Sequence, residues 1–259
     1  MLTGNILSLI QACKELNIRS DVIDESSDFA AVYLDKPYYF IHSTTPFVSH
    51  DVARICKDKA YTYTLLHDVM SMPRTKAYLD PNFNEFKDKS PYSSIEEIRN
   101  DILKEFSFPL IVKMNAGSRR RNVYSCDSAE DVQRALERIY NKDSRNYDFL
   151  ALAQEKVDIE IEMRVVVCRG EIGLVYEKFT YVEIEDQALL ERIASFIKPM
   201  YRHLDLQWGG FDLALSTNGT LFVIEINSSP RFGPYIERHG NAKIVDLYKK
   251  ALKPLTVNR

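Results

Sequence analysis

At 259 residues, with 45% hydrophobic and 27% charged side chains, the chain can build a substantial core in one or two domains. A net charge of −3 carries no basic excess, which argues against a general nucleic-acid binder while leaving a local basic patch open. Cys13, Cys56, Cys126 and Cys168 lie far apart with no CxxC pair, so the sequence supports neither a zinc site nor a disulfide framework and points to reduced thiols in the cytoplasm.

The N-terminal stretch MLTGNILSLIQACKELNI lacks a basic n-region, so it reads as an amphipathic helix over 3–17 and not a signal peptide. Its apolar side is Ile6, Leu9, Ile10, Cys13 and Leu16. No run reaches the length of a membrane span. AAVYLDKPYYFIH predicts two short strands around Lys36-Pro37, and SHDVARICKDKAYTYTLLHDV one helix or two, ending before Pro73. Residues 79–94 are polar with two prolines and read as a loop. SSIEEIRNDILKEF shows helical spacing at Ile95, Ile98, Ile102 and Leu103. FPLIVKM and NVYSC are strands joined by NAGSRRR. DSAEDVQRALERIY is a helix with Asp127 as its cap and Val132, Ala135, Leu136 and Ile139 as its stripe. FLALAQEKV is a strand, and IEMRVVVC and IGLVYEKFT form a hairpin about Arg169-Gly170. DQALLERIASFIKPMYRHL is a helix with Pro199 as a kink, and a final helix covers 239–253. The class is α+β, with several antiparallel hairpins.

Between the last two helices, FDLALS and LFVIEIN alternate on either side of TNGT. Asn218-Gly219 is a strong signal for a two-residue turn with both residues at positive φ. That loop places Ser216 opposite Leu221 and Asp212 opposite Glu225. Asp212, Glu225 and Asn227 then share one face, and Phe211, Leu213, Leu215, Phe222, Ile224 and Ile226 the other. Like charges directly opposite on a sheet repel. A hard divalent cation such as Mg²⁺, held by one or two carboxylates together with substrate phosphates, would offset the repulsion. A solvated face, where paired acids cost little, is the alternative, but it leaves Asn227 and the turn SSPRFG without a reason.

Lys113 ends one strand, and the loop NAGSRRRN that follows could fold over phosphates with its backbone N–H groups. A solvated basic hairpin reads the same way, and the Walker pattern is absent. QEKV at 154–157 closes a strand whose backbone could meet an adenine edge, with Glu160 or Glu162 beyond it for a ribose. Arg164 amid valines needs a partner if buried, and Glu162 on the same face is the candidate; a structural ion pair is the plainer reading. Arg231 could grip a substrate carboxylate in a bidentate fashion or stand on the surface. The scattered histidines form no Ser/His/Asp or Cys/His pattern, and Trp208 reads as packing.

Taken in order, DKAYTYTLL, FPLIVKMNAGS, LAQEKV, EIEMRVVV, GGFDLAL and FVIEINSSPRFG resemble the ATP-grasp superfamily over roughly residues 56–235. The likeness is to carboxylate–amine ligases such as D-alanine–D-alanine ligase, glutathione synthetase and peptide glutamate ligases. The resemblance implies two α+β lobes around ATP, with an abbreviated N-terminal lobe at 1–58, a lid subdomain at 59–153 and a metal-bearing subdomain at 154–259. It implies that Lys59 and Lys113 lie near phosphates, with Gly117 and Ser118 in the lid loop and Gln154, Glu155, Lys156 and Val157 along the adenine. It places Glu162 at the ribose or phosphates, Arg164 at the transferring phosphoryl group, Arg231 at the substrate, and Asp212, Glu225 and Asn227 on Mg²⁺, or Mn²⁺ in its stead. Arg119, Arg120 and Arg121 stand where the family's lid is usually glycine-rich, which hints at an anionic partner. The activity implied is ATP-dependent amide formation on an amino acid or peptide through an acylphosphate. A non-catalytic ATP-binding regulatory module and an ATP-grasp phosphotransferase are the alternatives. The short N-terminal lobe implies a homodimer or a macromolecular acceptor.

Overall fold

The computed structural model describes residues 2–83, 85, 90–117 and 121–256. In chain order the helices are α1 (Gly4–Glu15), α2 (His50–Lys57), α3 (Lys59–Leu66), α4 (Ile95–Glu105), α5 (Ala129–Ile139), α6 (Gln187–Ile197), α7 (Gly233–His239) and α8 (Ala242–Thr256). The strands are β1 (Arg19–Asp24), β2 (Phe29–Tyr33), β3 (Pro37–Ile41), β4 (Thr75–Leu79), β5 (Leu110–Met114), β6 (Val123–Cys126), β7 (Leu150–Glu155), β8 (Ile159–Cys168), β9 (Glu171–Glu177), β10 (Trp208–Ser216) and β11 (Leu221–Asn227). Helices and antiparallel sheets together give the expected α+β class. Residues 1–57 and 159–259 form one compact unit, and residues 58–158 form the other.

The first unit holds a three-stranded sheet, β1-β2-β3, and a four-stranded sheet, β11-β10-β8-β9. Ile6, Leu9, Ala12 and Cys13 of α1 pack with Ile244, Val245, Tyr248 and Leu252 of α8, and this helical layer covers Val166, Cys168, Tyr176 and Trp208 of the larger sheet. Trp208 is fully buried and stacks on Tyr248, so its packing role holds. The final helix differs from expectation. Gly240, at φ +76°, ends α7 and α8 begins two residues later, because a left-handed glycine closes a helix.

In the second unit the sheet order is β4-β7-β5-β6. Leu110, Val112, Met114, Ala151 and Ala153 form a core with Ile98 and Ile102 of α4 and Val132, Leu136 and Ile139 of α5. Strand alternation assigns Ile111, Lys113, Leu152 and Gln154 to the opposite face. The cap of α5 is Ser128, one residue past the expected Asp127. Its hydroxyl oxygen accepts from Asp131 N, and Asp131 Oδ2 accepts from Asp127 N, a reciprocal box one position later. The stretch 50–66 is two helices, since Asp58 interrupts the first and caps the second by accepting from Tyr61 N at 3.0 Å.

Candidate functional site

The β10–β11 hairpin reaches the expected pairing by a different route. Its loop has three residues, with Ser216 N bonded to Thr220 O and Gly219 alone at positive φ, +82°. Asn218 serves through its side chain: its Oδ1 accepts from Thr220 N and from Ser216 Oγ. The longer loop shifts the register by one, so Leu215 faces Leu221 and Ala214 faces Phe222. A bulge at Ile224 restores it, and Asp212 does face Glu225. The same shift corrects the expected apolar face. Leu221, Val223 and Ile226 are the buried residues of β11, whereas Phe222 and Ile224 are half-buried.

Asp212, only 2% exposed, sits at one end of the sheet face whose other end, Val166, Cys168 and Trp208, lies under α1 and α8. Its neighbours on that face are cations. Across the β8–β10 ladder Arg164 is its direct partner, and Arg164 Nε stands 2.5 Å from Asp212 Oδ1. Gly210 leaves the space for this side chain, since a Cβ there would lie 3.2 Å from Arg164 Cδ. Neither Arg164 Nε nor Asp212 Oδ1 has hydrogen-bond alignment, so the pair is a charge contact that leaves an oxygen lone pair open. Lys178 Nζ lies 2.7 Å from Asp212 Oδ2 and also bonds Glu162 Oε1. The partner of Arg164 is therefore Asp212 and not Glu162, which pairs with Lys178. Direct opposition across the ladder brings side chains closer than two positions along one strand.

Burial opposes the charge on Arg164, but Asp212, Tyr176 and Glu225 outweigh it and its pKa is raised. Lys178 behaves alike: burial lowers it, and Asp212 and Glu162 carry it above the ordinary lysine value. Tyr176, opposite Arg164 on β9, is pushed up to about 12, chiefly by burial. Breaking such a buried pair from one side costs about 3–5 kcal/mol, because the partner charge is left uncompensated.

Sequence reading missed Lys178. A plain hairpin about Arg169-Gly170 points it to the other face, but Gly173 is an extra residue between the pairs Val166–Leu174 and Val167–Ile172. This bulge turns Lys178 toward Glu162, whose carbonyl accepts from Lys178 N. A glycine inside a strand was the available signal.

Glu225 and Asn227 are half-buried on the Asp212 face, Asn227 opposite Gly210. Among the described residues no group of three His, Cys, Asp or Glu encloses an ion alone. Two carboxylates and an amide, one carboxylate oxygen lacking a hydrogen bond, fit a hard cation whose shell is completed by phosphate oxygens. Arg231 is exposed, in the loop that leaves β11. Asn5 of α1 holds that loop on both sides: its Nδ2 donates to Pro230 O at 3.0 Å and its Oδ1 accepts from Phe232 N at 3.1 Å. Sequence reading gave Asn5 no role.

In the second unit Lys113, 5% exposed, donates to Gln154 Oε1 at 2.9 Å, and Gln154 Nε2 donates to Thr75 Oγ1. Lys59 Nζ donates to the carbonyls of Asn115 and Gly117, at the start of the loop that follows Lys113. A Cβ at Gly117 would stand 2.4 Å from Met114 Cγ, so any larger residue there forces the Met114 side chain to move. Ser118, Arg119 and Arg120 lie outside the described residues. Gln154 and Glu155 are engaged in the sheet, with Glu155 N donating to Arg74 O, while Lys156 and Val157 lie beyond the end of β7. The exposed Lys156 donates to Ser125 Oγ.

No family model matches the chain, and no curated protein matches it. Solved structures do. The D-alanine–D-alanine ligase of Bacillus anthracis aligns over 82% of this chain and 72% of its own, at 16% identity and a TM-score of 0.60. The D-alanine–D-alanine ligase of Coxiella burnetii aligns over 82% and 61%, at 15% identity and 0.59. The ATP-grasp ligase PsnB, complexed with a minimal precursor, Mg and ADP, aligns over 82% and 62%, at 18% identity and 0.57. This chain thus spans less than two thirds of the Coxiella and PsnB chains. It shares its fold with these D-alanine–D-alanine ligases and with the ATP-grasp ligase PsnB.

Proposed function

We propose that this ATP-grasp chain is an ATP- and Mg²⁺-dependent ligase that joins a carboxylate to an amine through an acylphosphate. The observation that carries the reading is the sheet face on which Asp212 stands between Glu225 on one side and Arg164 on the other. In the reaction, a substrate carboxylate oxygen attacks the γ-phosphorus, the bond to the β,γ-bridging oxygen breaks, and ADP leaves. The amine nitrogen then attacks the acyl carbon, the bond to the phosphate oxygen breaks, and the amine proton passes to solvent as phosphate departs.

Each residue has a part in this scheme. Lys59 and Lys113 neutralise phosphate charge, Gly117 and Ser118 belong to the covering loop, and residues 154–157 border the adenine. Arg164 is permanently charged and fixed by its ladder partner, so it meets the transferring phosphoryl group without reorganising. Glu162 sits on the ribose or phosphate side, and Arg231 takes the substrate carboxylate in a fork. Asp212, Glu225 and Asn227 would hold Mg²⁺ or Mn²⁺, which when bound supplies Lewis-acid neutralisation of the phosphates. PsnB, the fold neighbour captured with Mg, ADP and a minimal precursor and also with a precursor peptide, supports both the cofactor pair and a peptide-class substrate. Cytoplasmic residence and a homodimer belong to the same proposal, and no helix among the described residues is long and apolar enough to cross a membrane.

Hydroxylamine trapping tests the scheme. An acylphosphate formed from pooled amino acids or short peptides is converted to a hydroxamate, with no need for the natural amine. Hydroxamate that requires ATP, Mg²⁺ and Glu225 supports the proposal. ATP binding without hydroxamate or phosphate release on any pool would instead mark a regulatory binding module.

A further inference from the structure

Asp212 carries two cations from its own chain, one at each carboxylate oxygen. They differ in kind. Arg164 projects from mid-strand, opposite Asp212 in the ladder, with a delocalised charge that is never lost. Lys178 stands just past the end of β9 on a flexible stem, and its compact ammonium is the side-chain group nearest in kind to a small hard cation. That single ammonium touches both Asp212, 2% exposed, and Glu162, 9% exposed. It reaches this place only because of the bulge at Gly173. A divalent cation at Asp212 would find Oδ1 without a hydrogen bond but Oδ2 already taken by the Lys178 ammonium.

We propose that Lys178 is a built-in counter-ion that holds Asp212 whenever no metal is bound, so that a divalent cation enters this site only together with nucleotide. The inference rests on Asp212 and Glu225 being the metal ligands. An ion arriving alone meets the positive charge of an ammonium already paired with Asp212 and Glu162, and must push it aside to hold the carboxylate. An ion arriving with nucleotide brings phosphates, and these offer the displaced ammonium a new anionic partner. Lys178 thereby keeps the buried acids stable in the empty protein and couples metal loading to nucleotide.

The test is Mn²⁺ binding to the full chain, read by electron paramagnetic resonance and by the melting temperature, without turnover. In the wild type, Mn²⁺ without nucleotide binds weakly and leaves the melting temperature unchanged. In Lys178→Gln, Mn²⁺ alone binds about tenfold tighter or more and raises the melting temperature, since a ligand that binds only the folded state stabilises it. Should Lys178→Gln not fold, the double variant Lys178→Gln/Glu162→Gln, which removes one of the acids along with the cation, must show the same gain. Equal Mn²⁺ affinity in variant and wild type overturns the counter-ion role. Adding Glu225→Gln separates the two ideas: if the tight Mn²⁺ binding survives it, the ion lies elsewhere and the metal reading itself fails.

Discussion

Replacing Asn5 with alanine tests how the loop that bears Arg231 is held. Asn5 is 3% exposed and two of its bonds, 3.0 and 3.1 Å long, end on the backbone of Pro230 and Phe232, both buried. Truncation leaves a buried carbonyl and a buried N–H without partners, at about 1–3 kcal/mol each, so the expected loss is roughly 2–6 kcal/mol. For a chain of this size each kcal/mol moves the melting temperature by about 2–4 °C, which gives a fall on the order of 10 °C. Urea denaturation followed by fluorescence reads the effect in the right unit, since Trp208 is the only tryptophan and its ring lies 6.2 Å from that of Phe232. Asn5→Asp should not rescue it, because one carboxylate oxygen would face the Pro230 carbonyl. Gln11→Ala on the same helix, whose bond to Glu15 is exposed, serves as the control and should cost less than about 0.5 kcal/mol. A loss for Asn5→Ala as small as the control's would refute the reasoning.

Two further outcomes follow from the same geometry. At Gly209 an added Cβ would lie 2.8 Å from the backbone oxygen of Asn227. Gly209→Ala should therefore destabilise by about 1–3 kcal/mol in denaturant titration and weaken Mn²⁺·nucleotide binding by shifting Asn227. Asp101 accepts from Lys76, Tyr92 and Tyr78, and the Lys76 bond foremost holds its pKa below the ordinary aspartate value against burial. A depressed folded pKa stabilises above the unfolded value of about 3.9 and loses that effect as pH falls through the folded value. The stability gap between wild type and Asp101→Asn should thus be full at neutral pH and shrink in acid; a gap that widens below the unfolded value would contradict the pairing.

The apolar periodicities were legible. Ile98 and Ile102 in α4, and Val132, Leu136 and Ile139 in α5, are buried as their spacing implies. So was the hairpin at Arg169-Gly170, where both residues take positive φ. Strands β1 and β4 were not, because edge strands need not alternate; RSDVID is mostly exposed along its length. The candidate metal face was legible through Asp212 and Glu225, yet by two departures that cancel, the longer loop and the bulge at Ile224. The bulge at Gly173 had no such compensation, so Lys178 was hidden, and with it the true partners of Glu162 and Arg164. Bulges are set by how a strand packs against its neighbours, here Gly173 against Leu247, and local patterning does not carry that information.

The most direct measurement is phosphate release from Mg·ATP with pooled amino acids and short peptides, for the wild type beside Glu225→Gln. The account predicts release that depends on a particular pool and is lost in a variant that stays folded. Release that is unchanged in Glu225→Gln would contradict it.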